Sequence, residues 1–192
     1  MPDDSPGAGA LLIIDMINRL DFAGGEALLR AAAAAGERIL SLREQASAAG
    51  VPVIYVNDNH GDWHEDRAAV VAKATEADCP GRALSRRLAP RDEDFFVMKP
   101  QFSGFYTTNL PAILPRLGVR RLVLTGIAAD ICVLFTAADA HMREYDLWVP
   151  ADAVGSEDRQ RTGWALDIMA RSMKADIRPT TDLRLTDWLA RA

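Results

Sequence analysis

Short apolar runs alternate with longer amphipathic stretches along the chain, and that alternation predicts strands separated by helices. The runs at 10–15, 51–56, 94–98, 121–125 and 147–150 have the length and largely apolar character of strands covered on both faces, and a short sixth strand is placed at 176–178. Between the first two, residues 26–49 place Leu28, Ala32, Ile39, Leu42 and Ala46 at helical spacings, and Gly50 stops the helix. Similar spacings predict helices over 108–117, 131–144, 157–172 and 181–190. The order of elements defines an α/β fold, a three-layer αβα arrangement of Rossmann-like type around a mostly parallel six-stranded sheet. The segment 57–90 is less regular: charged residues mix with alanine, and Cys79-Pro80-Gly81 interrupts any long helix. Such a stretch between two strands suits a short helix and a lid or wall over an active site.

With 192 residues and 49% hydrophobic content, the chain can bury the core of one domain spanning 1–192. The formal net charge of −5 is spread among interspersed acids and bases, with no basic stripe to follow a phosphate backbone, so nucleic acid is not an expected partner. Residues 1–9 are acidic, the apolar run 10–14 is too short for a signal peptide, and no stretch is long enough to span a bilayer. Cys79 and Cys132 are the two cysteines and lie far apart, which fits a reduced, cytoplasmic setting with a thiol free to react.

In a parallel sheet, ligands bind beyond the carboxyl ends of the strands. Three residues with useful chemistry fall there: Asp15 after the first strand, Lys99 after the third, and Cys132 after the fourth and its turn at 126–130. Cys132 opens a predicted helix, whose free N–H groups and positive end favour a thiolate, and a nearby lysine lowers the thiol pKa further. The same N–H groups can bind the oxyanion of a tetrahedral intermediate. An aspartate beside the sulfur supplies a base for its proton and an acid for a leaving amine. Singly, each has an ordinary reading: a small buried hydrophobe, a turn cap, a solvated strand end. Their joint placement points to acyl transfer.

Three words in order carry a more specific signal: Leu-Ile-Ile-Asp-Met-Ile-Asn at 12–18, Val-Met-Lys-Pro-Gln-Phe-Ser-Gly-Phe at 97–105, and Leu-Thr-Gly-Ile-Ala-Ala-Asp-Ile-Cys-Val at 124–133. Over roughly residues 11–157 the chain resembles the isochorismatase-like cysteine hydrolases, the superfamily of isochorismatases, nicotinamidases and N-carbamoylsarcosine amidases. The resemblance implies a catalytic triad of Asp15, Lys99 and Cys132. It also implies a non-proline cis peptide at Ile127-Ala128, which would turn the Ala128 N–H, beside that of Cys132, toward the oxyanion. Nicotinamidases in this family hold a divalent metal on an aspartate and histidines after the second strand. Here Asp58, His60 and His64 have suitable chemistry, but His64 comes too early for that motif, and the expected enzyme needs neither metal nor cofactor. His60 and His64 then read as polar loop residues, Asp58 as a ligand of loop backbone, and His141 as a helix-surface or interface residue.

Phe22, His60, Trp63 and Phe105, with Phe102 and Tyr106, are candidates for a substrate pocket. Cys79 reads as a bystander thiol, and Gly24-Gly25 as the turn into the first long helix. Residues and resemblance together imply a cysteine-dependent hydrolase of a small amide or carbamoyl-type C–N bond, working through a thioester as a homodimer or homotetramer. The alternatives are vinyl-ether cleavage of the isochorismatase kind, a metal-dependent nicotinamidase-like amidase, and a non-catalytic binding domain. A complete Asp-Lys-Cys set argues against the first and the last.

Overall fold

The computed structural model describes residues 8–191. The elements, in chain order, are β1 (Ala8–Ile14), α1 (Gly25–Ala48), β2 (Val53–Asp58), α2 (Arg67–Ala74), α3 (Arg82–Arg87), β3 (Phe95–Lys99), α4 (Leu110–Arg116), β4 (Val119–Ile127), a π-helical turn (Ala129–Val133), α5 (Leu134–His141), β5 (Asp146–Trp148), β6 (Val154–Gly155), α6 (Arg159–Met173) and α7 (Leu185–Leu189). Five strands lie in the order β3-β2-β1-β4-β5, and β6 pairs with β4. Every pair is parallel. On the edge of β4 away from β1, Arg121–Val123 pair with β5, while Gly126 and Ile127 at its end pair with Val154 and Gly155 of β6.

Side chains alternate along β1 as period two requires. Leu11 and Ile13 enter one core with α1, Leu84 of α3 and Leu185 and Trp188 of α7, whereas Ala10, Leu12 and Ile14 enter a second core with α4, α5 and α6. The sheet therefore has helices on both faces. The face of α1 read from the sequence is the buried one: Leu28, Ala32, Ile39, Leu42 and Ala46 all pack inward. Gly24, at φ 89°, makes the turn into that helix, a conformation a side chain disfavours.

The sixth strand differs from the sequence expectation. Residues 176–178 contribute a single bridge, Trp148 to Asp176, because the Asp176 carboxylate takes the Arg178 N–H (3.1 Å) that a longer ladder would need. Val154–Gly155 takes its place, too short to show any periodicity. The expected helix at 131–144 begins as the π-helical turn and regularises only at Leu134. The segment 57–90 holds two short helices and is tied to the loop after β1: the Gly81 N–H donates to Arg19 O (2.7 Å) and the Asn18 N–H to Ser85 Oγ (3.2 Å). It is a fixed wall.

At the amino ends of the strands, Arg43 of α1 and Asp94 form a buried ion pair at 2.6 Å, and Arg43 also donates to Ala89 O at 2.9 Å. Removing one partner of such a pair leaves an uncompensated buried charge. Asp94→Ala is expected to lower stability by about 3–5 kcal/mol in urea unfolding without altering the chemistry at the opposite end of the sheet. A loss below about 1 kcal/mol, the range of exposed pairs, would contradict it.

Candidate active site

The strand order brings four carboxyl ends side by side, and each delivers one functional group. Asp15 directly follows β1 at φ 53°, a left-handed conformation that aspartate tolerates better than most residues. Its N–H donates to Val56 O (2.9 Å), and its Oδ1 accepts from the Asp58 N–H at the end of β2 (2.7 Å). Lys99 closes β3 and is fully buried. Cys132 lies in the π-helical turn after β4, a kind of distortion frequent at functional sites.

These groups converge on the Lys99 ammonium. Its Nζ lies 2.9 Å from Asp15 Oδ2, 3.1 Å from Asp58 Oδ2 and 3.4 Å from Cys132 Sγ. A lysine without solvent needs this compensation. Burial pulls its pKa down, but Asp15, Cys132 and Asp58 outweigh burial and hold it above the usual lysine value. Asp58 as the second carboxylate on Lys99 escaped the sequence reading, because it depends on β2 lying between β1 and β3.

The thiol behaves differently from expectation. Burial pushes the Cys132 pKa well up, the negative charge of Asp15 adds to that, and Lys99 only partly opposes it. The direction is toward the thiol rather than the thiolate. A helix end lowers a thiol pKa where water still reaches the sulfur, and here desolvation is the larger effect.

The Ile127–Ala128 peptide is cis, as the resemblance implied. Just before it, Gly126 (φ 113°) is in register with Ile14, and a Cβ there would lie 2.0 Å from Ile14 O. Only glycine lets β4 pass so close to the strand that carries Asp15.

The residues weighed as metal ligands do not assemble. The Asp58 carboxylate is engaged by Lys99 and by the His60 N–H (2.7 Å), the His60 ring nitrogen Nδ1 is 3.8 Å from it, and the His64 N–H is tied to Asp62 Oδ1 (3.0 Å). Among the described residues no three of His, Cys, Asp and Glu are grouped to hold an ion. Of the pocket candidates, Phe105 is a core residue, 3% exposed, with its ring 6.1 Å from that of Tyr145. Phe22, Phe102, Tyr106 and Trp63 are exposed, Trp63 at 71%. Phe102 packs on Phe135 at 5.5 Å between ring centroids. His60 is half exposed in the loop after β2. His141 is exposed at the end of α5, and Cys79 is buried with its Sγ 3.2 Å from Arg19 O.

A parallel αβα sheet thus gathers an acid, a lysine and a cysteine at the carboxyl ends of β1, β3 and β4. The chain belongs to the isochorismatase family: the model described as the isochorismatase domain matches residues 9–182. It is 40% identical to the isochorismatase family protein YaaI of Bacillus subtilis over 88% of this chain and 92% of that protein. It is 32% identical to the ureidoacrylate amidohydrolase RutB of Methylorubrum extorquens over 76% of this chain and 69% of that protein. The solved structure of N-carbamoylsarcosine amidase from Thermoplasma acidophilum is also similar, with a TM-score of 0.69, 28% identity, and coverage of 92% of this chain and 98% of that one. Among the described residues no helix is long and apolar enough to cross a membrane.

Proposed function

We propose that this protein is an amidohydrolase of small amide or carbamoyl-type compounds that works without a metal, with Cys132 as nucleophile, Asp15 as proton carrier and Lys99 as their fixed counter-charge. The observation that carries the reading is the position of Lys99 Nζ, within 2.9 Å of Asp15 and 3.4 Å of Cys132. A buried ammonium bridging a carboxylate and a thiol lets a proton leave sulfur for Asp15 while total charge stays constant, which a desolvated site requires.

In the first half-reaction Asp15 takes the Cys132 proton as sulfur attacks the substrate carbonyl. The carbonyl π pair moves to oxygen, which the Ala128 and Cys132 N–H groups receive. When the tetrahedral intermediate collapses, the C–N pair leaves on nitrogen, Asp15 returns the proton to it, and ammonia or an amine departs from a thioester. Water then attacks the thioester with Asp15 as base, releasing the acid and restoring the thiol. Lys99 keeps both Asp15 and the transient thiolate charged. A thiol pKa held up by burial suits this cycle, because the base for its proton is already beside it.

Support for a carbamoyl or amide substrate comes from the relatives, which include a ureidoacrylate amidohydrolase and an N-carbamoylsarcosine amidase. The test is ammonia release from ureidoacrylate, N-carbamoylsarcosine and nicotinamide, with mass detection of an acyl group on Cys132. Ammonia release from one of them with a matching adduct is expected; no release and no adduct from any would sink the reading. Activity is further expected to survive exhaustive chelation, since Asp58 is occupied by Lys99. One tightly held metal per chain, lost together with activity in His60→Ala, would reverse that expectation.

A further inference from the structure

We propose that β6, Ser156 and the first turn of α6 form a clamp that holds the nucleophile turn in register with its oxyanion donors, with Asp130 and Ser156 as positioning residues; this rests on the acyl-transfer reading above. The clamp grips the turn on both sides of Ala128. Before it, Gly126 and Ile127 are paired with Val154 and Gly155, and the Gly126 N–H donates to Ala153 O at 3.0 Å. After it, Asp130 and Ser156 exchange two hydrogen bonds: Ser156 Oγ donates to Asp130 Oδ1 (2.5 Å) and the Asp130 N–H donates to Ser156 Oγ (3.3 Å).

Ser156 and Asp130 are in turn anchored by α6. The Ser156 N–H donates to Thr162 Oγ1 (3.0 Å), and Arg161 lies 2.5 Å from Asp130 Oδ2. Gly155 ties the same segment to α1, because a Cβ there would lie 2.8 Å from that of Ala31, so the strand rests directly on the helix. The chain from 153 to 162 thus holds the backbone that carries Ala128 and Cys132. The Asp130 carboxylate is only 13% exposed and has both oxygens engaged, one by Ser156 and one by Arg161.

A hydrogen-bonded clamp serves geometry more than reactivity of the sulfur itself, and that separates it from a purely structural network. Displacing catalytic groups by about 1 Å costs up to about 100-fold. The measurement uses butyraldehyde, which adds reversibly to a thiol: sulfur bonds to the carbonyl carbon, the π pair moves to oxygen, and the thiol proton follows it, with no leaving group. The hemithioacetal oxygen occupies the oxyanion position, so protection of Cys132 from iodoacetamide by the aldehyde, resolved by mass, reports the donors. Iodoacetamide alone reports the sulfur.

Ser156→Ala and Asp130→Ala are each expected to weaken aldehyde protection about tenfold, while alkylation without aldehyde changes by less than about twofold and thermal unfolding stays cooperative. Asp130→Asn keeps an acceptor for Ser156 and is expected to retain protection within about threefold. Should Asp130→Ala fail to fold, Ser156→Ala decides alone. Unchanged protection in Ser156→Ala beside a protected parent overturns the clamp and leaves the amidohydrolase reading intact. A loss of protection matched by an equal change in bare alkylation also overturns it, by placing the effect on the thiol. A parent whose Cys132 the aldehyde never protects removes the acyl-transfer reading, and the clamp with it.

Discussion

Cys132→Ala is expected to leave a folded protein whose amide hydrolysis falls by on the order of 10⁴-fold or more, because removing the atom that forms the acyl-enzyme removes both half-reactions. The side chain is only partly buried at the mouth of the turn, so losing one sulfur opens no deep cavity. Lys99 and Asp15 keep their mutual pairing at 2.9 Å, and no charge is stranded. Cys79→Ala provides the contrast. That thiol is buried at the Arg19 carbonyl, away from Lys99, and its removal is expected to leave kcat/KM within about twofold. Steady-state ammonia release with circular dichroism of both variants measures this. A Cys132→Ala protein retaining more than about a tenth of parent activity would mean that water, not sulfur, attacks the substrate, and that the chemistry belongs to another class.

The second large effect concerns pH. Iodoacetamide reacts with the thiolate, so its rate at Cys132 rises as pH climbs through the thiol pKa. Burial and Asp15 hold that pKa above that of an ordinary cysteine, so the parent is expected to alkylate more slowly than glutathione near neutral pH. Asp15→Asn removes the adjacent negative charge, moves the curve to lower pH, and is expected to speed alkylation about tenfold near pH 8. Lys99→Met removes the opposing positive charge and moves the curve the other way. The diagnostic pairing lies in Asp15→Asn: faster alkylation together with lost hydrolysis, a combination that follows only if Asp15 is the base that hydrolysis needs. The apparent values belong to the coupled Cys132–Asp15 pair rather than to sulfur alone. Alkylation rate against pH for the three proteins, resolved by mass at Cys132, is the measurement. Two variants that shift together, or neither shifting, would dissolve the proposed unit and favour a non-catalytic binding domain.

Much of this site was legible in the chain before any coordinates, for one reason: in a parallel α/β fold the residue that follows an apolar run is delivered to the same end of the sheet. Asp15, Lys99 and Cys132 each stand there, and the α1 face of Leu28, Ala32, Ile39, Leu42 and Ala46 followed from helical spacing alone. What the chain could not reveal depends on which elements become neighbours. Asp58 became the second partner of Lys99 because β2 lies between β1 and β3. Phe105 left the pocket for the core through contacts with Tyr145 and Arg143. The sixth strand moved from 176–178 to Val154–Gly155 because Asp176 captured the N–H a ladder needed, while the unpaired end of β4 accepted a two-residue partner. The direction of the Cys132 pKa shift also depends on packing. A lysine and a helix end favour thiolate in sequence terms, but burial and the neighbouring Asp15 push the other way, and only the packed tertiary structure sets those.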